Sequence, residues 1–459
     1  MSVVVVLFLT AVLALFSGVY NQGKFARYIG ILGLLVALCV SFSPELAFFN
    51  QYKSMFDFNE NAALFTKISL VVTLLIVCLG RFAFNNHRIH QSVLYSLMLF
   101  SLIVAVILFS FTNLVTLFLG IEILSIPLYV MAGSNKTDLR SNEASIKYFL
   151  MGAFATGFLL FGIALIYGST GSFDVHVINT FSVANPKDLM FVMGIMLMLV
   201  AMAFKVSLAP FHMWSPDVYQ GAPSLITAFM ASVVKIAAFF AFFKVMNLAF
   251  AGSIKEWINI LGVLVIITLL LANAMGLAQT NAKRMLAYSS VSHAGYLGLI
   301  FFGANSLSVY NLAFYLFAYS LATVGVFMTL IWVEKLKRET SFEAFKGLAK
   351  SEPLLAVVTA VSLLSMAGIP LTAGFVAKFN IFAQAMNGAA FLVLIAVIGS
   401  ALSIAYYLKL IISMFFHTET TFKSSEKVSI TYNIIAVFII VAILAIGIYP
   451  DLFKVQFGL

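Results

Sequence analysis

Several features that define soluble enzymes are scarce or missing in this chain. Charged residues make up only 9% of the 459 residues, against about a quarter in a soluble domain. The two cysteines, Cys39 and Cys78, lie in apolar runs without CxxC or metal-ligand spacing, so we expect no disulfide, iron–sulfur cluster or zinc site. No GxGxxG motif opens a βα unit and no haem motif occurs, so we expect neither a cofactor nor a redox centre in this chain.

Apolar residues dominate the composition of the chain. They make up 63% of the chain, and the mean hydropathy is +1.08. A membrane-spanning helix needs about 20 apolar residues, whereas the alternating ten-residue strands of a membrane barrel are absent from the sequence. We therefore predict an all-α, polytopic membrane protein with about fourteen spans: 2–20, 25–43, 61–82, 91–110, 113–133, 145–168, 188–209, 224–248, 257–279, 285–303, 307–333, 353–386, 389–415 and 430–448.

The net charge of +9 would indicate nucleic acid in a soluble chain, but its placement indicates membrane topology. We number each loop by the predicted span that it follows. Four basic residues lie in the even-numbered loops and the C-terminal tail: Lys53, Lys187, Lys255 and Lys454. Fifteen lie in the odd-numbered loops: Lys24, Arg27, Arg81, Arg88, Lys136, Arg140, Lys283, Arg284, Lys335, Lys337, Arg338, Lys346, Lys350, Lys423 and Lys427. Basic loops stay on the cytoplasmic side, so we expect both termini on the outer side of a bacterial inner membrane, and no nucleic-acid partner.

Seven lysines remain inside the predicted spans: Lys67, Lys147, Lys205, Lys235, Lys244, Lys378 and Lys409. Lys67, Lys244 and Lys409 lie nearer to span ends, where a long side chain reaches the headgroups. Snorkelling does not explain Lys205, Lys235 and Lys378, which lie near mid-span or beside a predicted break. Each charge near the bilayer centre costs roughly 2.5–3.5 kcal/mol, so these lysines must face the bundle interior, an opposite charge or water.

The types of charged residue favour proton transfer. A desolvated lysine exchanges its proton near neutral pH, whereas arginine stays charged, and no mid-span arginine occurs. Glu122 is the clear acid inside a span, and we predict that it pairs closely with Lys205. His293 lies between the lysines in sequence and is either a core histidine or a relay. Glu143 and Lys147, spaced i,i+4, are either a surface pair or a proton entry point.

Two stretches carry signals for helix interruption at membrane depth. FKVSLAPFHMWSP places Lys205 before Pro210, and SMAGIPLTAGFVAKF places Gly368 and Pro370 before Lys378. Proline removes a helix hydrogen bond, and paired interrupted helices in two halves mark transport sites. We therefore predict breaks near 208–210 and 368–372, in helices 7 and 12. If the halves are helices 4–8 and 9–13, five helices in each give them opposite orientations in the membrane.

The motifs, taken in order, resemble the antiporter-like membrane subunits of respiratory complex I, the proton-pumping NADH:quinone oxidoreductase. They are LFLGIEILSIPLYV, NEASIKYF, FKVSLAPFHMWSPDVYQGAP, KRMLAYSSVSHAGY and AGIPLTAGFVAKF. The sister M and L types read PDAHxxAP where this chain has PDVYQGAP, and M carries Glu where Lys378 stands. The chain is therefore most similar to the N type.

The resemblance implies a fold and a proton pathway. It implies N-terminal helices over 1–90, inverted five-helix repeats over 91–250 and 251–416, and a last helix over 417–459. Within them it implies a half-channel at Glu122 and Lys205, a connecting Lys235, and a second half-channel at Lys378. NADH, FMN, iron–sulfur clusters and quinone are then expected in partner subunits, and the partners of this chain are other membrane subunits, the lipid bilayer and protons. Two alternatives stay open: an Mrp-type Na⁺/H⁺ antiporter, which the carboxylate-poor interior disfavours, and a passive membrane scaffold.

Overall fold

The computed structural model describes residues 2–19, 25–43, 54–83, 90–417 and 428–457. Within these ranges the chain is helical and no strand longer than an isolated bridge occurs. The basic residues Lys24, Lys53, Arg88, Lys423 and Lys427 of the charge argument lie outside the described residues.

Seventeen labelled helices make up the described ranges, together with short 3-10 turns and a four-residue helix, Leu348–Ser351. They are α1 Ser2–Val19, α2 Phe25–Val40, α3 Glu60–Ala83, α4 Gln91–Ser110, α5 Leu114–Ala132, α6 Leu139–Thr170, α7 Val175–Ala184, α8 Leu189–Val206, α9 Trp214–Gly221, α10 Ser224–Ala249, α11 Ile254–Leu277, α12 Ala282–Gly298, α13 Ser308–Lys337, α14 Pro353–Ala367, α15 Ala373–Phe416, α16 Ile430–Ile448 and α17 Asp451–Phe457.

Eleven of the helices in the described ranges are long and apolar enough to cross a membrane. The other three predicted spans fall on the shorter helices α2, α12 and α14. Three of the labelled helices lie outside the predicted spans: α7, which is ten residues long and follows a span directly, the eight-residue α9 and the seven-residue α17. The predicted boundary between spans 353–386 and 389–415 coincides with a kink in the 44-residue helix α15, where Ala389 has non-helical backbone angles (φ −155°, ψ 52°). The first of these two spans also contains the break between α14 and α15.

Asparagine and aspartate start many of these helices. A side-chain oxygen at the N-cap accepts a backbone N–H that has no partner inside the helix. This capping residue precedes five helices, α5, α6, α7, α8 and α12, as Asn113, Asp138, Asp174, Asp188 and Asn281. Polar residues between apolar runs therefore define where these spans begin.

Contacts between loops join the even-numbered loops to one another and the odd-numbered loops to one another. Backbone bridges pair Phe56 with Phe111 and Asn113 with Asp174. These bridges connect loops 2, 4 and 6, counted by the predicted spans and not by the α labels. At the opposite end, Asn281 pairs with Ser341, connecting loops 9 and 11. This alternation is the pattern expected when successive helices cross the membrane in opposite directions.

The centre of the bundle is formed by α10 and α13, in which nearly every residue is buried, whereas no more than about a third of the residues in α1, α15 and α16 are buried. Two π-helical segments interrupt α10, at Met230–Val234 and Val245–Ala249. The first immediately precedes Lys235. Because π-segments are rare and often occur at functional sites, the position of Lys235 beside one, on one of the two most enclosed spans, indicates a functional constraint.

Both predicted helix breaks are confirmed. The first separates α8 from α9 between Val206 and Trp214, with Ser207 in a left-handed conformation (φ 65°) and Pro210 inside the break. The second separates α14 from α15, and Gly368 ends α14 in the same conformation (φ 85°). Glycine suits this position because it takes positive φ without a steric penalty.

The second break depends on a close approach at Gly374, where a Cβ atom would lie 1.8 Å from the backbone oxygen of Ser365. We expect Gly374→Ala to destabilise the protein by at least about 1–3 kcal/mol, the usual cost of overpacking. Gly157→Ala is the matched control, because a Cβ there meets nothing within 4 Å. Thermal unfolding of the purified protein measures both, and equal midpoints for the two variants would contradict the close approach.

Candidate functional site

The first half of the site surrounds α5. Lys205, in the last turn of α8, donates a hydrogen bond from Nζ to Ser125 Oγ (2.7 Å). Glu122, one turn before Ser125 on α5, accepts a hydrogen bond from the Thr156 hydroxyl of α6 (2.8 Å). Four helical residues thus form a polar patch between α5, α6 and α8.

Glu122 and Lys205 do not form a direct salt bridge, and their predicted approach to within about two hydrogen-bond lengths stays a prediction. Among the described residues, no carboxylate lies within 4.0 Å of Lys205 Nζ. Ser125 is on the same face of α5 as Glu122 because residues three apart are neighbours on a helix. The ammonium group of Lys205 therefore donates to the hydroxyl of Ser125 instead of the carboxylate of Glu122. That carboxylate accepts its hydrogen bond from Thr156.

A buried histidine lies inside the first break and was not predicted as a site residue. His212 is 3% exposed, and its Nδ1 has no hydrogen-bond partner among the described residues. Its ring lies 6.4 Å from that of Tyr288 on α12, centroid to centroid. The break thus places a titratable group between α8, which carries Lys205, and α12, which carries His293.

The connecting lysine lies at the centre of the bundle. Lys235 is 5% exposed, and its Nζ donates to both the hydroxyl (2.6 Å) and the backbone oxygen of Ser290 on α12. His293 follows Ser290 by three residues and therefore lies on the same face of α12. Its Nδ1 shares a hydrogen bond with the Tyr315 hydroxyl (2.8 Å), and its Nε2 lies 3.4 Å from the Tyr407 hydroxyl.

The second half of the site is formed by the second break. Lys378, 4% exposed, donates to the backbone oxygen of Ala367 (2.9 Å) and to Ser400 Oγ (2.8 Å). Ala367 is the last residue of α14, so the ammonium binds a carbonyl left free where the helix stops. A Cβ at Gly368 would meet the Lys378 side chain at 3.0 Å, and glycine therefore leaves room for this lysine.

A small cavity joins the histidine to the second break. Its volume is about 10 Å³, the space that one water needs. His293, Tyr315 and Tyr319 line one part of it, and Ser365 and Gly374 at the break line another. The cavity therefore offers a water-sized connection between α12 and the helices that hold Lys378.

Lys147 lies outside this interior chain. Its Nζ contacts Glu143 (2.7 Å) and Asp217 (2.7 Å), and its side chain is 41% exposed. Asp217 also accepts a hydrogen bond from Arg284 (2.8 Å). Lys147 therefore belongs to a charged cluster at the ends of α6, α9 and α12, rather than to an isolated i,i+4 pair.

The remaining lysines in the spans bind helix ends. Lys409 donates to the backbone oxygen of Leu277, the last residue of α11 (2.6 Å), and Lys244 to that of Phe109 in the last turn of α4 (3.4 Å). Lys67 lies 4.5 Å from the ring centroid of Phe42. Lys283, which the charge argument counts as a loop residue, is instead the second residue of α12; it is 2% exposed and faces Glu334 at 3.7 Å.

The geometry defines a class of membrane protein: a helical bundle in which interrupted helices hold buried lysines, the arrangement of an ion-translocating subunit. Comparison with known proteins identifies the family. Residues 110–403 match the family model described as NADH:quinone oxidoreductase/Mrp antiporter, transmembrane region.

Relatives and solved structures narrow the family further. NADH-quinone oxidoreductase subunit N of Cytophaga hutchinsonii is 42% identical over 427 residues, 92% of each chain. A chain of respiratory complex I from Thermus thermophilus has a TM-score of 0.78 at 31% identity, covering 98% of both chains. A chain of the archaeal membrane-bound sulfane sulfur reductase has a TM-score of 0.86 at 25% identity, covering 100% of this chain and 96% of that one. The chain belongs to the NADH-quinone oxidoreductase subunit N family, the antiporter-like membrane subunits of respiratory complex I, and the resemblance seen in its motifs is confirmed.

The hydrogen bond between Lys205 and Ser125 generates a prediction. A hydrogen bond to a charged group contributes about 1.5–3 kcal/mol, so Ser125→Ala should lower NADH-driven proton pumping about tenfold. Ser69→Ala is the control, because Ser69 Oγ is buried and has no hydrogen-bond partner among the described residues. Proton uptake by membrane vesicles measures the effect, with complex assembly checked on native gels. Equal rates for the two variants would remove Ser125 from the site.

Proposed function

We propose that this chain translocates protons along Glu122, Lys205, Lys235, His293 and Lys378, driven by electron transfer in other subunits of complex I. The single observation that carries the proposal is the placement of Lys235 and Lys378. Both are almost fully buried ammonium groups held by neutral hydroxyls and carbonyls. A lysine that served only to stabilise the fold would be paired with an acid, because an unpaired buried charge is costly.

The route has two ends and a centre. Glu122 and Lys205 form the first half-channel, Lys235 connects through Ser290 to His293, and Lys378 at the second break forms the last half-channel. The step from His293 to Lys378 passes the water-sized cavity beside His293, whose lining is mostly apolar. It requires a water to enter there, since proton transfer needs groups within hydrogen-bond reach or linked by water. The exposed cluster of Lys147, Glu143 and Asp217 serves as the cytoplasmic entry.

The surrounding assembly follows from the family. NADH oxidation, FMN, iron–sulfur clusters and quinone reduction belong to partner subunits, and this chain carries no redox centre itself. Its neighbours are other membrane subunits and lipid. The chain lies in the bacterial inner membrane with both termini on the outer side. The alternation of even and odd loops at opposite ends and the basic bias of the odd loops support this orientation.

The bundle divides into functional units in this proposal. Residues 1–90 flank a first repeat over 91–250 and a second over 251–416, and 417–459 hold the last helix. One break with its lysine occurs in each repeat: Lys205 just before the first break, and Lys378 just after the second. This opposite order supports an inverted relationship between the halves.

Replacing the interior lysines tests the pathway against a passive scaffold. We expect Lys205→Ala, Lys235→Ala and Lys378→Ala each to lower proton pumping by about two orders of magnitude or more, with assembly intact. Lys378→Glu should keep part of the activity, because glutamate also exchanges a proton. Lys409→Ala is the control, since Lys409 is exposed and binds a helix end. NADH-driven acidification of inverted membrane vesicles gives the rates, and full pumping in all three alanine variants would leave only the scaffold.

Reconstitution of the isolated chain separates a complex I subunit from an Mrp-type antiporter. An Na⁺ site needs several oxygen ligands, and the interior described above offers one partly exposed carboxylate, Glu122, among lysines. We expect liposomes with the purified chain to show no Na⁺/H⁺ exchange above protein-free liposomes, measured with a pH-sensitive dye under an imposed Na⁺ gradient. Exchange that saturates with Na⁺ and is lost in Glu122→Gln would establish the antiporter instead.

A further inference from the structure

Lys235 and Lys378 share an unusual environment for buried ammonium groups. Among the described residues, neither Nζ has a carboxylate within 4.0 Å. Lys235 has two contacts from one residue, Ser290, and Lys378 has one carbonyl and one hydroxyl. An ammonium has three donors, so these contacts leave part of each charge to be stabilised by other groups.

Each of the two lysines also faces an aromatic ring. Lys378 Nζ lies 4.6 Å from the ring centroid of Tyr296, and Lys235 Nζ lies 5.4 Å from that of Tyr319. Both distances are inside the roughly 6 Å range in which a cation is attracted to the ring face. The attraction is larger in a desolvated site, and both tyrosines are almost completely buried.

The two rings both contact the ring of His293. The centroid of the His293 ring is 4.6 Å from that of Tyr319 and 5.7 Å from that of Tyr296. The contacts therefore run in the order Lys235, Tyr319, His293, Tyr296, Lys378. Each tyrosine ring thus contacts both His293 and one lysine of the proposed pathway.

The Tyr296 ring is held in place by a buried amide. Asn273 Nδ2 lies 3.4 Å from the Tyr296 hydroxyl, and Asn273 Oδ1 accepts hydrogen bonds from Ser292 (3.1 Å) and Tyr406 (3.2 Å). Asn273 is fully buried and is anchored by a further bond to the backbone oxygen of Leu269. A ring fixed in this way is preorganised for a cation instead of adjusting to it.

We propose that Tyr296 and Tyr319 are positioning residues for the proton-carrying lysines, each presenting its ring face to one ammonium group. The ring attracts the charged lysine and has no special attraction for the neutral amine, and it accepts no proton itself. The ring therefore holds the lysine in place while the lysine is protonated. It releases the lysine once the proton has passed to the next group. This inference rests on the proposed proton pathway and adds the residues that hold its carriers.

A ring suits this task better than an acid. A carboxylate at the same place would bind the ammonium by full charge attraction in a poorly screened interior, which would hinder release of the proton. The ring quadrupole is a weaker partner that is selective for charge. The absence of acids beside Lys235 and Lys378 in the described ranges is consistent with this requirement.

Stepwise fluorination of the ring at position 296 tests the proposal. Fluorine withdraws electron density from the ring face while changing its volume little. The series starts from Tyr296→Phe and continues with mono-, di- and trifluorinated phenylalanine incorporated in the intact complex. Tyr296→Phe also loses the hydroxyl contact with Asn273, so its rate is the reference for the series. We expect NADH-driven pumping to fall from that reference with each fluorine, by about fivefold to thirtyfold over the series.

Tyr406 provides the matched control position. It is buried, donates to the same Asn273, and its ring faces no lysine in the described part of the chain. The same series at 406 should leave the rate flat. A flat series at 296 in a complex that Lys378→Ala inactivates overturns the role of the ring while the pathway stands. If Lys378→Ala itself pumps normally, the pathway fails, and the positioning role fails with it.

Discussion

The cost of a charge in a membrane interior is the constraint on which the rest of this structure depends. A bilayer supplies no partner for an ammonium group, so each buried lysine must find one within the protein. The partners here are mostly neutral: the hydroxyl of Ser125, both oxygens of Ser290, the carbonyl of Ala367 and the faces of two tyrosines. Neutral partners stabilise the charged lysines without fixing them permanently, which is what a proton carrier requires.

The helix breaks meet this constraint most directly. In a continuous helix the backbone carbonyls accept hydrogen bonds within the helix. Because α14 ends at Ala367, the carbonyl of Ala367 is left free to accept a hydrogen bond from Lys378. Gly368 provides both the left-handed turn and the room for the lysine stem. The π-segment before Lys235 is a second departure from regular helix beside a lysine. Irregular backbone at membrane depth occurs where protein or water satisfies it, and here it coincides with the proposed carriers.

Long-range contacts account for the errors in the sequence predictions. Glu122 and Lys205 were correctly recognised as interior charges, but their partners, Thr156 and Ser125, are hydroxyls that composition does not distinguish from the many others in the chain. Lys283 counted as a loop residue because it follows a span boundary, yet it is buried beside Ala222 at the end of α9 and Glu334 on α13. The ring faces of Tyr296 and Tyr319 had no sequence signal, because ring orientation depends on neighbours from other helices.

The sequence alone determined the class of protein, nearly all of the spans, both breaks and the identity of the interior charges. These properties follow from hydropathy, proline, glycine and charge, each of which acts within one segment of the chain. Only the tertiary structure decided which groups meet: Lys235 with Ser290, Lys378 with the end of α14, and His293 with the rings of Tyr296 and Tyr319. Side-chain partners on different helices depend on helix rotation and crossing, which many packed residues set together and no single stretch of sequence encodes.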